Sequence, residues 1–81
     1  MIYRYEIIAE NHVGTLSRIA RLLESRNHTL LMLQSKTLEH ELSYISLSIR
    51  ATPHNAEKMR LLIQKMIDVV DVKVKENAEA V

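Results

Sequence analysis

Residues 10–19, Glu10-Asn11-His12-Val13-Gly14-Thr15-Leu16-Ser17-Arg18-Ile19, decide the fold, and they hold the only glycine of the chain. Before them, Tyr3, Tyr5, Ile7 and Ala9 alternate with Arg4, Glu6 and Ile8, the period of a strand. After them, Leu16, Ile19, Ala20 and Leu23 recur at the period of a helix. The chain turns sharply between the two, and Gly14 supplies the backbone freedom for it. Thr15 is expected to cap the helix, its hydroxyl accepting from a backbone N–H one turn on. Such a loop leaves unpaired N–H groups at the positive end of a helix dipole, where a carboxylate or phosphate can sit. Read alone, the motif is weak: most strand-to-helix turns with one glycine bind nothing, and a purely structural turn is the better reading.

Working outward, the N-terminal side is a strand over about Ile2 to Ala9, and the C-terminal side a helix over about Thr15 to Arg26. Its apolar stripe is Leu16, Ile19, Ala20 and Leu23, with Ser17, Arg18, Arg21 and Glu24 on the solvated face. Arg26 and His28 suit the negative end of the dipole, and Asn27 can take the left-handed conformation that ends a helix. From His28 to Leu38 the spacing predicts a second strand, buried at Leu30-Leu31-Met32-Leu33, exposed later, and bulged near Met32. Glu39-His40-Glu41 is a polar turn into a third strand, Ser43 to Ala51. There Ile45, Leu47, Ile49 and Ala51 point inward and Tyr44, Ser46, Ser48 and Arg50 outward. Thr52-Pro53-His54-Asn55 stops the hairpin, and Asn55 is expected to cap a second helix, Ala56 to Ile67, with Met59, Leu62, Ile63, Met66 and Ile67 as its stripe. Val69 to Lys75 reads as the last strand, with Val70, Val72 and Val74 inward. One domain over residues 1–75 follows, and Glu76 to Val81 form a polar, fraying tail. The order β-α-β-β-α-β is the α+β, ferredoxin-like sandwich: a four-stranded antiparallel sheet in spatial order 4-1-3-2 with both helices on one face.

Length and composition narrow the function. A domain of 81 residues buries only about 60–65% of its unfolded surface, so association with another copy would help it. Its formal charge is +1, from 11 basic and 10 acidic residues. That balance predicts no long-range attraction to nucleic acid or a membrane surface. Cysteine is absent, which excludes disulfides, thiolate chemistry and cysteine metal sites. No apolar run approaches the ~18 residues of a membrane span, and the first residues read as strand rather than leader. A cytoplasmic address is expected by elimination.

Residue chemistry argues against catalysis. RNA-binding versions of this fold stack bases on exposed aromatics of the sheet, but Tyr3 and Tyr5 share the core side with Ile7 and Ala9. Metal-chaperone versions need a Cys-x-x-Cys loop, and acylphosphatase-like ones an arginine in a glycine-rich first loop; neither is present. His12, His28, His40 and His54 sit mostly in turns, without carboxylates at metal-ligand spacing. They read as solvated, and Arg18 and Arg21 as a solvated helix face. No serine, histidine and acid suggest a triad. No catalytic or metal-ligating residue is expected.

The wording of the chain adds a resemblance. Residues 10–19 resemble the "E-N-x-x-G-x-L-x-R-[IV]" motif of ACT domains, in the form found in the small, regulatory subunit of acetohydroxyacid synthase (acetolactate synthase). Leu22-Leu23-Glu24-Ser25-Arg26-Asn27-His28-Thr29-Leu30-Leu31-Met32-Leu33 is similar to that family's "L-F-x-R-R-G-x-N-I-x-S-L", and Lys65-Met66-Ile67-Asp68-Val69-Val70-Asp71-Val72 to its "K-L-[IV]-D-V-x-x-V". The resemblance implies a homodimer of ACT domains joined side by side. It also implies a catalytic partner that uses thiamine diphosphate, Mg and FAD while this chain binds no cofactor. Activation of that partner in branched-chain amino-acid biosynthesis would follow, with feedback by valine. The effector would lie on Asn11, His12, Val13, Gly14 and Thr15, with Thr29 from the start of the second strand. The chain departs from the family at Asn27, where a glycine is usual, and at Thr29, which replaces an asparagine and offers no amide donor. The runner-up is a stand-alone amino-acid sensor acting on another enzyme or regulator.

Overall fold

A computed structural model describes residues 1–76. The elements are β1 (Ile2–Glu10), α1 (Thr15–Ser25), β2 (Thr29–Thr37), β3 (Leu42–Arg50), α2 (Pro53–Gln64) and β4 (Val69–Glu76). The sheet runs β2-β3-β1-β4, the expected 4-1-3-2 order read from the other side, and all three pairings are antiparallel. Glu76, expected in the tail, belongs to β4; the rest of that expected tail, residues 77–81, lies outside the described residues.

Alternation places the core. Tyr3, Tyr5, Ile7 and Ala9 of β1 and Ile45, Leu47 and Ile49 of β3 are buried against Ile19 and Leu23 of α1 and Ala56, Met59 and Ile63 of α2, with Val72 of β4. Tyr5 is enclosed, and its hydroxyl donates to the Ala56 carbonyl at 2.5 Å, tying the middle of β1 to the first turn of α2. Burial pushes the Tyr5 phenol well above its ordinary pKa, and the negative charge of Glu57 adds to the shift.

Loop chemistry explains the turns. After α1, the Asn27 and His28 N–H groups donate to the Glu24 and Leu23 carbonyls at 3.0 and 3.2 Å. This is a Schellman cap, with Asn27 at φ 60° where glycine is usual. His40 and Glu41 both have φ near +60°, as a type I′ hairpin turn demands of its central pair. The bulge near Met32 is present: the β2–β3 register shifts between Leu30 and Met32.

Four expectations are corrected. Thr52, not Asn55, caps α2: its hydroxyl accepts from the Asn55 N–H at 3.2 Å, and Pro53 is the first helical residue. Proline's fixed φ suits that position, so the residue read as a stop is a start. The helix then ends at Gln64, which leaves Ile67 in the following turn at 92% exposure instead of on the stripe. Val70 does not point inward: β1 pairs Ile8 with Asp71 and Ala9 with Val69, so Val70 falls in a bulge and is 62% exposed. Ser46 and Ser48 do sit on the outer face, but they are buried there. They lie on a central strand between longer neighbours, and Arg4 Nε donates to Ser46 Oγ at 3.0 Å.

Candidate functional site

The loop between β1 and α1 is held from three directions. From its own strand, the Glu10 carbonyl accepts from the His12 N–H at 2.9 Å and from the Thr15 hydroxyl at 3.2 Å. From the hairpin side, the Asn11 N–H donates to the Glu41 carbonyl at 2.8 Å, and Asn11 Oδ1 accepts from Ser43 Oγ at 2.9 Å. From the turn before β4, the Asp68 carbonyl accepts from the Glu10 N–H at 2.8 Å. The last bond fastens together two loops more than fifty residues apart in the chain.

Gly14 precedes the helix at φ 89°, a left-handed conformation that a side chain would strain. Thr15 does not cap, contrary to expectation. It is the first helical residue, 3% exposed, and its hydroxyl points into the protein toward the Glu10 carbonyl and Asp68 Oδ2, both at 3.2 Å. A hydroxyl has one proton, so these two acceptors share it. The Thr15 N–H is taken up by the His12 carbonyl at 3.2 Å. Among the described residues, the N–H groups of Val13, Gly14, Leu16 and Ser17 have no acceptor. They surround the positive end of α1, an arrangement suited to a carboxylate or another small anion.

Asp68 is the residue that sequence reasoning missed. Its side chain is only 6% exposed, and it collects the Arg18 guanidinium and the Thr15 hydroxyl on Oδ2 and His12 Nδ1 on Oδ1, the last at 3.1 Å. A buried carboxylate is costly unless it is paired and hydrogen-bonded, and here every strong donor comes from the β1–α1 loop and the first turn of α1. Two readings change accordingly. Arg18 is not a solvated face residue but the counter-ion of Asp68. His12 is not a free turn histidine, although its side chain remains 59% exposed. The available signal was a lone carboxylate between Ile67 and Val69-Val70, an apolar setting in which an acid needs a partner.

The remaining predicted residues divide. Asn11, His12, Val13, Gly14 and Thr15 come together, with Val13 fully in solvent. Thr29 does not join them. It pairs with Arg50, which pairs with Ile2, whereas the loop leaves β1 at Glu10. Eight strand residues, about 27 Å, separate the two ends. An open cleft lined by Arg18, Arg21, Leu22, Ser25, Leu62 and Met66 shares Arg18 with this cluster. On the sheet face, Tyr44 donates to Glu6 at 3.1 Å, while Tyr3 and Tyr5 are in the core and offer no stacking platform. No helix among the described residues is long and apolar enough to cross a membrane.

Known structures share this architecture. The ACT domain from GTP pyrophosphokinase of Chlorobium tepidum superposes with a TM-score of 0.79 at 14% identity, over 99% of this chain and 91% of that one. A formyltetrahydrofolate deformylase from Pseudomonas syringae pv. tomato gives 0.77 at 14% identity, over 96% of this chain and 28% of that one. A homoserine dehydrogenase from Thiobacillus denitrificans gives 0.75 at 21% identity, over 90% of this chain but 16% of that one. At such identities the likeness is one of fold. No curated protein matches the sequence. The family described as the AHAS small subunit-like ACT domain matches residues 5–71, a span that includes most of β1, the Gly14 loop and the Asp68 turn. With most of its length and the whole of this site inside that match, the chain belongs to the AHAS small subunit-like ACT domain family.

Proposed function

We propose that this chain is a non-catalytic regulatory subunit that binds and activates the thiamine-diphosphate-dependent catalytic subunit of acetohydroxyacid synthase. The family match over residues 5–71 carries this reading. The loop supports the regulatory part: four unpaired N–H groups at the start of α1 suit the carboxylate of an amino-acid effector, valine first among the candidates. Asn11 is less available than the sequence implied, because its Oδ1 already accepts from Ser43. The effector's ammonium would therefore rely on that oxygen's second lone pair. Thr29 enters such a pocket only from a second copy, since its own strand start lies at the far end of the sheet.

The test is a titration of this chain into the acetohydroxyacid synthase catalytic subunit from the same source, following acetolactate formation with and without valine. A saturable rise in rate is expected, and the valine arm reports whether the loop is an effector site. No rise and no co-elution would sink the partner assignment and leave a stand-alone amino-acid sensor as the better reading.

A further inference from the structure

We propose that Glu10, His12 and Asp68 form a binding site for a zinc-like divalent transition metal. One ligand atom from each lies within 4.8 Å of the other two. The residues come from the end of β1, the loop and the turn before β4, and the backbone fixes them: the Glu10 N–H donates to the Asp68 carbonyl at 2.8 Å and the His12 N–H to the Glu10 carbonyl at 2.9 Å. The side chains are thus brought together by main-chain bonds that do not depend on a metal.

The geometry suits zinc. Metal–ligand bonds of about 2.0–2.1 Å in a tetrahedron set neighbouring ligands about 3.3 Å apart. His12 Nδ1 and Asp68 Oδ1 already stand 3.1 Å apart, so an ion replaces their hydrogen bond with only a slight parting of the two groups. Glu10, exposed at the strand end, swings in as the third ligand. The two oxygens of Asp68 have separate duties. Thr15 and Arg18 hold Oδ2, and Oδ1 faces His12. A ligating carboxylate oriented through its other oxygen is the usual outer-shell arrangement of protein metal sites.

The donor set selects the ion. One imidazole and two carboxylates suit Zn²⁺ or its transition-metal neighbours, whereas Mg²⁺ prefers an all-oxygen octahedron and keeps its waters. Three protein ligands leave a position for water, as in open zinc sites. The Arg18 charge beside Asp68 opposes the ion, so binding is weaker than at closed structural sites. This inference stands apart from the regulatory reading and holds or fails whatever the chain's partner.

Isothermal titration of the chain with ZnCl₂ tests it, with His12→Ala and Glu10→Gln as variants. Both residues are exposed, and circular dichroism verifies that the variants fold. One ion per chain is expected. His12→Ala weakens binding by roughly 10-fold or more and Glu10→Gln by less, and excess MgCl₂ does not compete. Absence of saturable zinc binding overturns the proposal. So does unchanged binding by His12→Ala, which would assign the ion to His28, His40 or His54.

Discussion

Gly14 shows how much one residue fixes. At φ 89° any side chain is strained, and a Cβ built there meets Arg18 Nη1 at 3.2 Å. The arginine tip can move away, but it is the counter-ion of buried Asp68, so its movement disturbs the loop's anchor. Gly14→Ala is therefore expected to destabilise the domain by about 1–2 kcal/mol from backbone strain alone. For a domain of this size that lowers the melting temperature by roughly 4–15 °C. Thermal unfolding of the variant beside Ser17→Ala, a change on the exposed face of the same helix, measures it; equal melting temperatures for the two would show that the loop does not need its left-handed turn. Gly14 was legible from sequence because it is the only glycine between a strand period and a helix period. The role of Thr15 was not. Local spacing suggests a cap, but the hydroxyl is drawn inward by Asp68, 53 residues later, and nothing in residues 10–19 announces that partner.

At the scale of elements, the period-2 strands were the most legible and their ends the least. The inward set of β1 follows alternation, as do Ile45, Leu47 and Ile49 of β3, while Ala51 falls just past the end of that strand and is only partly buried. The misreadings cluster where one local feature overrides a period: Pro53 opening α2 rather than ending the hairpin, and the bulge that turns Val70 out. Burial of Ser46 and Ser48 depends on what flanks β3 on both sides, which no single strand reveals. Contacts between elements were likewise invisible, and the Tyr5 hydroxyl bond to Ala56 is the clearest. It carries a pH dependence. An unfolded tyrosine loses its proton near pH 10, while Tyr5 in the fold keeps it to higher pH because burial disfavours the phenolate. The unfolded state then binds fewer protons than the native state, so the contribution of Tyr5 is complete below about pH 10 and declines above it, at up to about 1.4 kcal/mol per pH unit. Urea unfolding of wild type and Tyr5→Phe at about pH 8 and about pH 11 isolates the effect from lysine titration common to both. The stability of wild type relative to Tyr5→Phe should fall between the two pH values; a constant difference would mean that the phenol does not couple β1 to α2 in this way.

At the scale of the molecule, the two edges of the sheet are unlike. β4 carries Asp71, Lys73, Lys75 and Glu76 and a bulge at Val70, features that discourage another strand from pairing. β2 has one charged residue in nine, Lys36, and its run from Leu30 to Leu33 is only half-buried. An edge of that kind invites a second copy, and a two-fold pairing makes the same strand serve both sides. If two β2 strands pair antiparallel about an axis near Leu33, the middle of the strand, Thr29 of one copy stands opposite Thr37 of the other. Thr37 pairs with Ser43 and Ser43 with Ala9, and Ser43 also donates to Asn11. Thr29 is thereby delivered to the loop end of the second copy, which it cannot reach within its own chain. The expected outcome is a dimer at micromolar concentration by analytical ultracentrifugation, with β2 amides that face away from β3 protected from hydrogen exchange. A monomer across that range would remove the pairing. A dimer whose β2 amides exchange freely would place the interface on another surface, and the loop of residues 11–15 would then have to bind any effector without Thr29.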